Sequence, residues 1–187
     1  MNVLKQHAPS LLAVGVLGLL AMAACSTAPE RPEARDDLNR ASAEALGQAI
    51  AHDPSLLKVI QNSASYVIFP AVGKSGGTYA KGDLFQYGAL MGYCEVKQGS
   101  LGLPLGGRAY SEIIVFLTGD AADAFKKGSL RFDAQTTAVT VKAGAAASAP
   151  FTNGVAVFTM DEAGVLREAT VEGQEFSYQA RKSLAAE

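Results

Sequence analysis

The residues Gly73-Lys74-Ser75-Gly76-Gly77 fit the pattern G-x-S-x-G, which in serine hydrolases places a nucleophilic serine on a turn between a strand and a helix. The run that follows, Thr78 to Gly82, is typical of a strand with breakers and not of a helix. A serine also needs a base, and His52, the one histidine after the first 24 residues, precedes it in the chain. The same segment resembles the end of a P-loop, but position 68 is Ile68 where that motif needs glycine. We therefore predict neither a hydrolase nor a nucleotide site here.

The remaining titratable residues show no spacing typical of a metal site or an acid–base pair. His52 and Asp53 are adjacent in a predicted turn between helices, where a solvated or helix-capping role accounts for both. Asp120 and Asp123 fall in a short predicted helix whose N-terminus favours acidic residues. The sequence predicts no catalytic residues, no metal and no cofactor.

An N-terminal targeting signal is predicted over residues 1–24. Lys5 supplies a positive charge before the uncharged run Leu11 to Leu20, and small residues precede Cys25. The run is short for an ordinary transmembrane helix, and a single N-terminal anchor helix is the alternative.

Met22-Ala23-Ala24-Cys25 resembles the bacterial lipobox, in which the cysteine is acylated and becomes the first residue after cleavage. The resemblance implies a covalent lipid anchor on Cys25, since several acyl chains give stable attachment. Ser26, in place of an aspartate, implies sorting to the outer membrane with the domain facing the periplasm. Residues 25–35 are predicted to form a Pro-rich polar tether, and residues 36–187 the domain.

Charge and cysteine content exclude other classes of protein. The chain has 16 Lys+Arg and 18 Asp+Glu, a net charge of -2, which becomes -3 when the first 24 residues with their single Lys are removed. This balance argues against a general nucleic-acid binder. Two cysteines cannot form a disulfide scaffold or an all-cysteine zinc site, and Cys94 lies in an apolar run that predicts a core residue.

Periodicity predicts an α+β fold in which N-terminal helices precede a Gly-rich antiparallel sheet, sandwich or barrel-like, with one inserted short helix. The predicted helices cover 36–51, a short stretch after Pro54, and 118–127; the predicted strands cover 66–69, ended by Pro70, then 110–117, 136–142, 154–160, 165–171 and an edge at 174–178. Ten glycines between positions 73 and 107 predict turns, bulges or close backbone approach.

Three basic residues lie in or beside this Gly-rich region. Lys74 and Lys81 flank its first glycine cluster, and Arg108 directly follows Gly106-Gly107. Cationic side chains next to free backbone N–H groups would suit an anionic headgroup. The alternative is that all three are ordinary solvated charges on loops.

Several ordered blocks resemble the SYLF lipid-binding domain. They are Val67-Ile68-Phe69-Pro70 with Lys74 and Gly76-Gly77, then Gly99 to Gly107 (GSLGLPLGG), Ser111 to Phe116 (SEIIVF), Asp123-Ala124-Phe125 and the Ala-rich run at 145–147. The resemblance covers about Leu56 to Tyr178; Pro104, where a polar residue is more usual, and the lack of Trp depart from the family pattern. It implies a non-enzymatic module that binds phosphoinositide-like lipids, with Lys74 at the family's basic position and Arg108 and Lys81 as further headgroup contacts. A structural or adaptor lipoprotein with a protein partner in the envelope is the alternative.

Overall fold

The computed structural model describes residues 26–73, 79–98, 109–132, 137–161, 171 and 173–182. The predicted signal peptide, Cys25, Lys74, Ser75 and Arg108 lie outside these described residues. The same holds for most of the strand predicted over 165–171, of which Val171 alone is described.

Three helices are described: α1 (Pro32–His52), α2 (Ser55–Gln61) and α3 (Gly119–Lys126). Helix α1 begins within the predicted tether, where Pro32 suits a first helical position because it has no N–H to satisfy. The prediction of α3 is confirmed, since Thr118 Oγ1 accepts a hydrogen bond from the N–H of Ala121 at 3.3 Å and Gly128 follows the helix with φ +66°.

The described strands form one sheet in the order β5-β6-β4-β1-β2-β3-β7, in which only the β5–β6 pair is parallel. Their bounds are β1 Ser65–Val72, β2 Tyr79–Gln86, β3 Ala89–Gln98, β4 Tyr110–Phe116, β5 Ala138–Thr140, β6 Val155–Asp161 and β7 Gln174–Ala180. The predicted α+β class with an inserted helix is confirmed. The expectation of a sandwich or barrel is corrected: the described strands form one open sheet with β5 and β7 at its edges, and helices rather than a second sheet cover its faces.

The antiparallel pairing gives the sheet two distinct ends. At the loop end, β1, β3 and β6 finish while β2, β4 and β7 begin, so Val72 lies opposite Tyr110 and Tyr110 lies opposite Asp161. At the hairpin end, β2 passes into β3 through Tyr87 and Gly88, and β7 finishes at Ala180. The β2 strand of eight residues separates the two ends by roughly 23 Å at about 3.3 Å per residue.

The prediction that Pro70 ends the first strand is wrong. Strand β1 continues to Val72, and its register with β4 shifts between Phe69 and Val72. An irregularity of this kind accommodates a proline, which has no N–H to give to a regular ladder.

Close packing explains two of the glycines in the Gly-rich region. A Cβ on Gly82 would overlap the ring of Phe69, and a Cβ on Gly92 would overlap the ring of Tyr178 and a backbone oxygen. Each aromatic ring therefore lies directly over a glycine of the neighbouring strand, as the expectation of close backbone approach requires.

The two faces of the sheet carry separate apolar cores. The face under α1 and α2 buries Ile68, Ile113 and Phe158, while the face under α3 buries Phe69, Phe116 and Phe176. Cys94 is buried in the α3-side core, as predicted, and burial raises the pKa of its thiol well above the ordinary range. A thiol with that pKa is a poor nucleophile, so Cys94 serves packing.

Candidate functional site

Lys81 is the predicted headgroup contact that the structure describes, and its half-buried ammonium group is bound to other residues of the protein. Its Nζ donates to the backbone oxygens of Ser26 at 2.6 Å and Thr27 at 2.9 Å. It also pairs with Glu95 Oε2 across the β2–β3 ladder at 3.1 Å. With three acceptors around one ammonium, Lys81 joins the chain just after Cys25 to the sheet.

The segment of residues 26–31, called here the N-terminal segment, is docked on the sheet beside the β7 edge. Ser26 Oγ and the N–H of Ala28 both donate to Gln179 Oε1 at 3.0 Å, and the hydroxyls of Thr27 and Ser177 share a hydrogen bond at 3.0 Å. The side chain of Ala28 is buried.

Arg35 completes this docking from the first turns of α1. Its Nε donates to the oxygen of Pro29 at 2.7 Å, and its guanidinium lies 5.7 Å from the centre of the Tyr93 ring. A segment predicted to be a tether is thus part of the fold, because polar side chains of β2 and β7 satisfy its backbone and side-chain groups.

The other two predicted contacts, Lys74 and Arg108, adjoin described residues at the loop end of the sheet. Lys74 follows Gly73 and Arg108 precedes Ala109 in the sequence, and the nearby residues Val72 and Tyr110 are register partners. Both predicted contacts therefore belong to segments that depart from neighbouring positions of the same sheet end.

A cavity of about 360 Å³ opens at this end between α1 and the sheet. Its polar lining includes Glu44 and Gln48 from α1, Ser111 from β4 and Asp161 from β6, while Ala45 and Met160 contribute apolar surface. The exposed carboxylate of Glu44 disfavours an anionic headgroup in this cavity.

A buried polar cluster lies on the opposite face of the sheet near the same end. Glu112 of β4 is fully buried and accepts a hydrogen bond from Gln174 Nε2 at 2.9 Å. Thr159 faces it from β6, and Glu112 Oε1, Thr159 Oγ1 and Gln174 Oε1 have no hydrogen-bond partner among the described residues. Burial raises the pKa of Glu112 to about 7, while hydrogen bonds from Gln174 and Tyr110 oppose the rise.

A second buried acid, Asp83, lies beneath α1. Within the described part of the chain, neither of its buried oxygens has a hydrogen bond of regular geometry, and the equally buried Ser42 lies next to it. Burial raises the pKa of Asp83 to about 6, and the Ser42 hydroxyl only partly offsets this.

Asp53 is the contrasting case of a buried acid with ample donors. Its oxygens accept from Ser55 N and Oγ at 3.0 and 2.6 Å, from Gly144 N at 3.0 Å and from Ala146 N at 2.7 Å. Burial alone would raise the pKa of Asp53, but these hydrogen bonds outweigh it and the pKa is lowered. The predicted capping role of Asp53 is confirmed, and it extends to joining α2 to the turn at 144–146; His52 is exposed at the end of α1.

The described part of the chain contains no group of three or more His, Cys, Asp or Glu residues placed to hold a metal ion. Within the same residues, no helix combines the length and the apolar character needed to cross a membrane. Comparison with family models finds no match for the chain, and comparison with curated proteins finds none.

Sequence reasoning missed the docking role of Lys81 and the buried Glu112 cluster. Both depend on contacts between distant segments. Lys81 donates to Ser26 and Thr27, which lie 55 and 54 positions away in the sequence, and Glu112 accepts from Gln174, which lies 62 positions away. The one local signal was a lone acid, Glu112, directly before the apolar run Ile113 to Phe116, where a charge is unexpected in a strand covered on both faces.

Proposed function

We propose that the chain is a non-enzymatic envelope lipoprotein, attached through acyl chains on Cys25 to the periplasmic face of the outer membrane, whose SYLF-like domain binds anionic, phosphoinositide-like lipid headgroups. The observation that carries the anchoring is the docked N-terminal segment. Its hydrogen bonds to Gln179, Ser177 and Lys81 begin at Ser26, the residue that directly follows the proposed acylation site. A fold that uses the chain from this residue onward agrees with a mature protein that starts at Cys25.

Headgroup binding is assigned to Lys74 and Arg108. The register pairing of Val72 with Tyr110 supports this, because these two residues lie together at one end of the sheet and each is two positions along the chain from one of the cations. Lys81 is left out of this role, since its ammonium already has three acceptors. The net charge of -3 after cleavage means that selectivity for anionic lipid rests on such local cations.

Vesicle co-sedimentation of the chain from Ser26 onward, which contains every described residue, tests headgroup binding without the anchor. We expect binding to vesicles with phosphatidylinositol phosphate or phosphatidylglycerol to exceed binding to phosphatidylcholine vesicles, and the double variant K74A/R108A to lose the difference. The control K58A/K142A removes the same charge from exposed positions elsewhere and is expected to bind normally. Equal binding of both double variants would contradict the assignment.

An adaptor that binds a protein partner is the second candidate, and the cavity beside α1 is the observation that favours it. A basic side chain of a partner would fit a space of about 360 Å³ beside Glu44. Crosslinking in envelope extracts distinguishes the two functions: a stoichiometric partner lost in the variant E44Q, with no lipid preference, supports the adaptor.

A further inference from the structure

Four buried oxygen atoms of three residues lie beneath α1. Asp83 of β2 contributes both carboxylate oxygens, Ser42 of α1 its hydroxyl, and Asn39 of α1 its amide oxygen; within the described part of the chain, none of these atoms has a hydrogen-bond partner. Asp83 and Ser42 are completely buried. We call these three residues the oxygen cluster. Since buried polar atoms nearly always have a partner, the cluster indicates a bound group.

The fold brings the oxygen cluster together from two elements. Asn39 and Ser42 are three positions apart, so they share one face of α1. The Ser42 hydroxyl lies close enough to the Asp83 carboxylate to oppose the rise of its pKa. One turn before Asn39, Arg35 lies over the ring of Tyr93, which is the register partner of Asp83. Asn39 therefore lies between two contacts that α1 makes with the same pair of residues on β2 and β3.

The cationic side chains on the same face of the sheet are bound elsewhere. Lys81, two residues from Asp83 on β2, pairs with Glu95 and with the N-terminal segment, and Arg35 is bound to the N-terminal segment. Among the described residues, no ion pair joins a Lys or Arg to Asp83. Burial raises the pKa of Asp83 to about 6, so above pH 7 its carboxyl is mostly ionised. A buried anion without a counter-charge is costly, which favours a bound cation.

A small monovalent cation matches the oxygen cluster in chemistry and in charge. Carboxylate, hydroxyl and amide oxygens are the ligands that hard cations prefer. One carboxylate balances one positive charge, whereas a divalent ion would leave a positive charge uncompensated in the same buried place. A water molecule can donate hydrogen bonds to the cluster but cannot balance the charge of Asp83. Asn39 is half-buried, so a small ion has a route to solvent beside α1.

We propose that the oxygen cluster of Asp83, Ser42 and Asn39 binds Na⁺ and thereby joins α1 to β2. The bound ion neutralises the Asp83 carboxylate and holds on the sheet the helix that follows the docked N-terminal segment. This site depends neither on the acylation of Cys25 nor on the headgroup binding at the loop end, so it stands or falls separately from both.

Thermal unfolding at pH 8 tests the site on protein that is purified in non-ionic detergent from cells expressing the full chain. NaCl replaces choline chloride at constant total salt, so that ionic screening stays the same. We expect the Tm to rise by about 3–6 °C when Na⁺ reaches about ten times its Kd. At pH 5, a proton competes for the Asp83 carboxylate, and the same NaCl should raise the Tm less.

Variants assign the effect to the cluster. D83N removes the charge and should lose the response to Na⁺, and S42A removes one ligand and should need a several-fold higher Na⁺ concentration for the same rise. D37N is the matched control, because it removes an acid that is 70% exposed on the same helix, and it should respond as the wild type does. The line width of Na⁺ in sodium NMR is a second readout that does not depend on unfolding: the wild type and D37N should broaden the line, and D83N should not.

Three outcomes would overturn the proposal. An equal Tm in NaCl and in choline chloride would mean that a proton or a water molecule, and no Na⁺, satisfies the cluster. A rise that D83N retains would mean that Na⁺ binds elsewhere. A rise with low concentrations of CaCl₂ but none with NaCl would mean that the site takes a divalent ion. If D83N does not fold, S42A decides instead, and an Na⁺ response identical to that of the wild type would contradict the site.

Discussion

Replacing Glu112 with Gln should stabilise the protein at neutral and alkaline pH. Glu112 is fully buried, and burial raises its pKa from the ordinary 4.5 to about 7. Between these two values the folded protein keeps a proton that the unfolded chain releases. The contribution of protonated Glu112 to the stability of the fold is therefore fully present below pH 4.5, falls as the pH rises towards 7, and is lost above 7. The difference in pKa corresponds to about 3 kcal/mol.

The variant E112Q keeps the size of the side chain and an oxygen that can accept from Gln174, but it cannot ionise. One amide N–H₂ then occupies the place of the unpartnered Oε1, which costs part of the gain. At pH 8 we expect E112Q to exceed the wild type in free energy of unfolding by about 2 kcal/mol, and at pH 4 to equal it or fall slightly below.

Urea unfolding of the chain from Ser26 onward at pH 4, 6 and 8 measures this difference. Asp83 also carries a raised pKa, but it is present in both proteins and cancels in the comparison. The exposed acid Glu44 provides the control E44Q, which should change stability by no more than about 0.5 kcal/mol at any pH. An E112Q protein that is no more stable than the wild type at pH 8 would refute the reasoning.

Three further predictions concern the packing around the site. D53N should destabilise by about 2–4 kcal/mol in urea unfolding, because the amide puts an N–H₂ donor in the place of one oxygen that accepts from backbone N–H groups. The wild type should lose this contribution to its stability as the pH falls through the lowered pKa of Asp53, below 3.8. K81A should release the N-terminal segment and speed its cleavage in limited proteolysis, whereas the exposed K97A should not. G92A should lower the free energy of unfolding by roughly 3 kcal/mol or more, because the added Cβ collides with Tyr178. G47A has open space at its Cβ on α1 and should raise the free energy of unfolding by about 0.5–1 kcal/mol in the same assay.

Local sequence patterns were sufficient to predict several helices and strands. Helix α3 could be predicted from its capping Thr118 and terminal Gly128, and β4 from a run of β-branched and aromatic residues. The strand order could not be predicted, because it depends on which strands pair across long stretches of chain. Pro70 shows the limit of local rules, since a register shift allowed β1 to continue through a residue that usually ends a strand.

The sequence was sufficient to predict the residue types of the candidate contacts, but it was not sufficient to predict their roles. Lys81 has the charge and neighbours expected of a headgroup ligand, yet the acceptors that bind it come from Ser26 and Thr27, which are remote in sequence. The pKa of Glu112 depends on burial in the folded sheet, which raises it, and on the hydrogen bond from Gln174, which opposes the rise; a local window contains neither.

Mass spectrometry of the mature N-terminus, on protein extracted from the membranes of cells that express the full chain, tests the central claim most directly. The account predicts that residues 1–24 are absent and that the first residue is Cys25, carrying acyl chains. An unmodified Cys25, or a chain that retains the N-terminal residues, would contradict the proposed anchor.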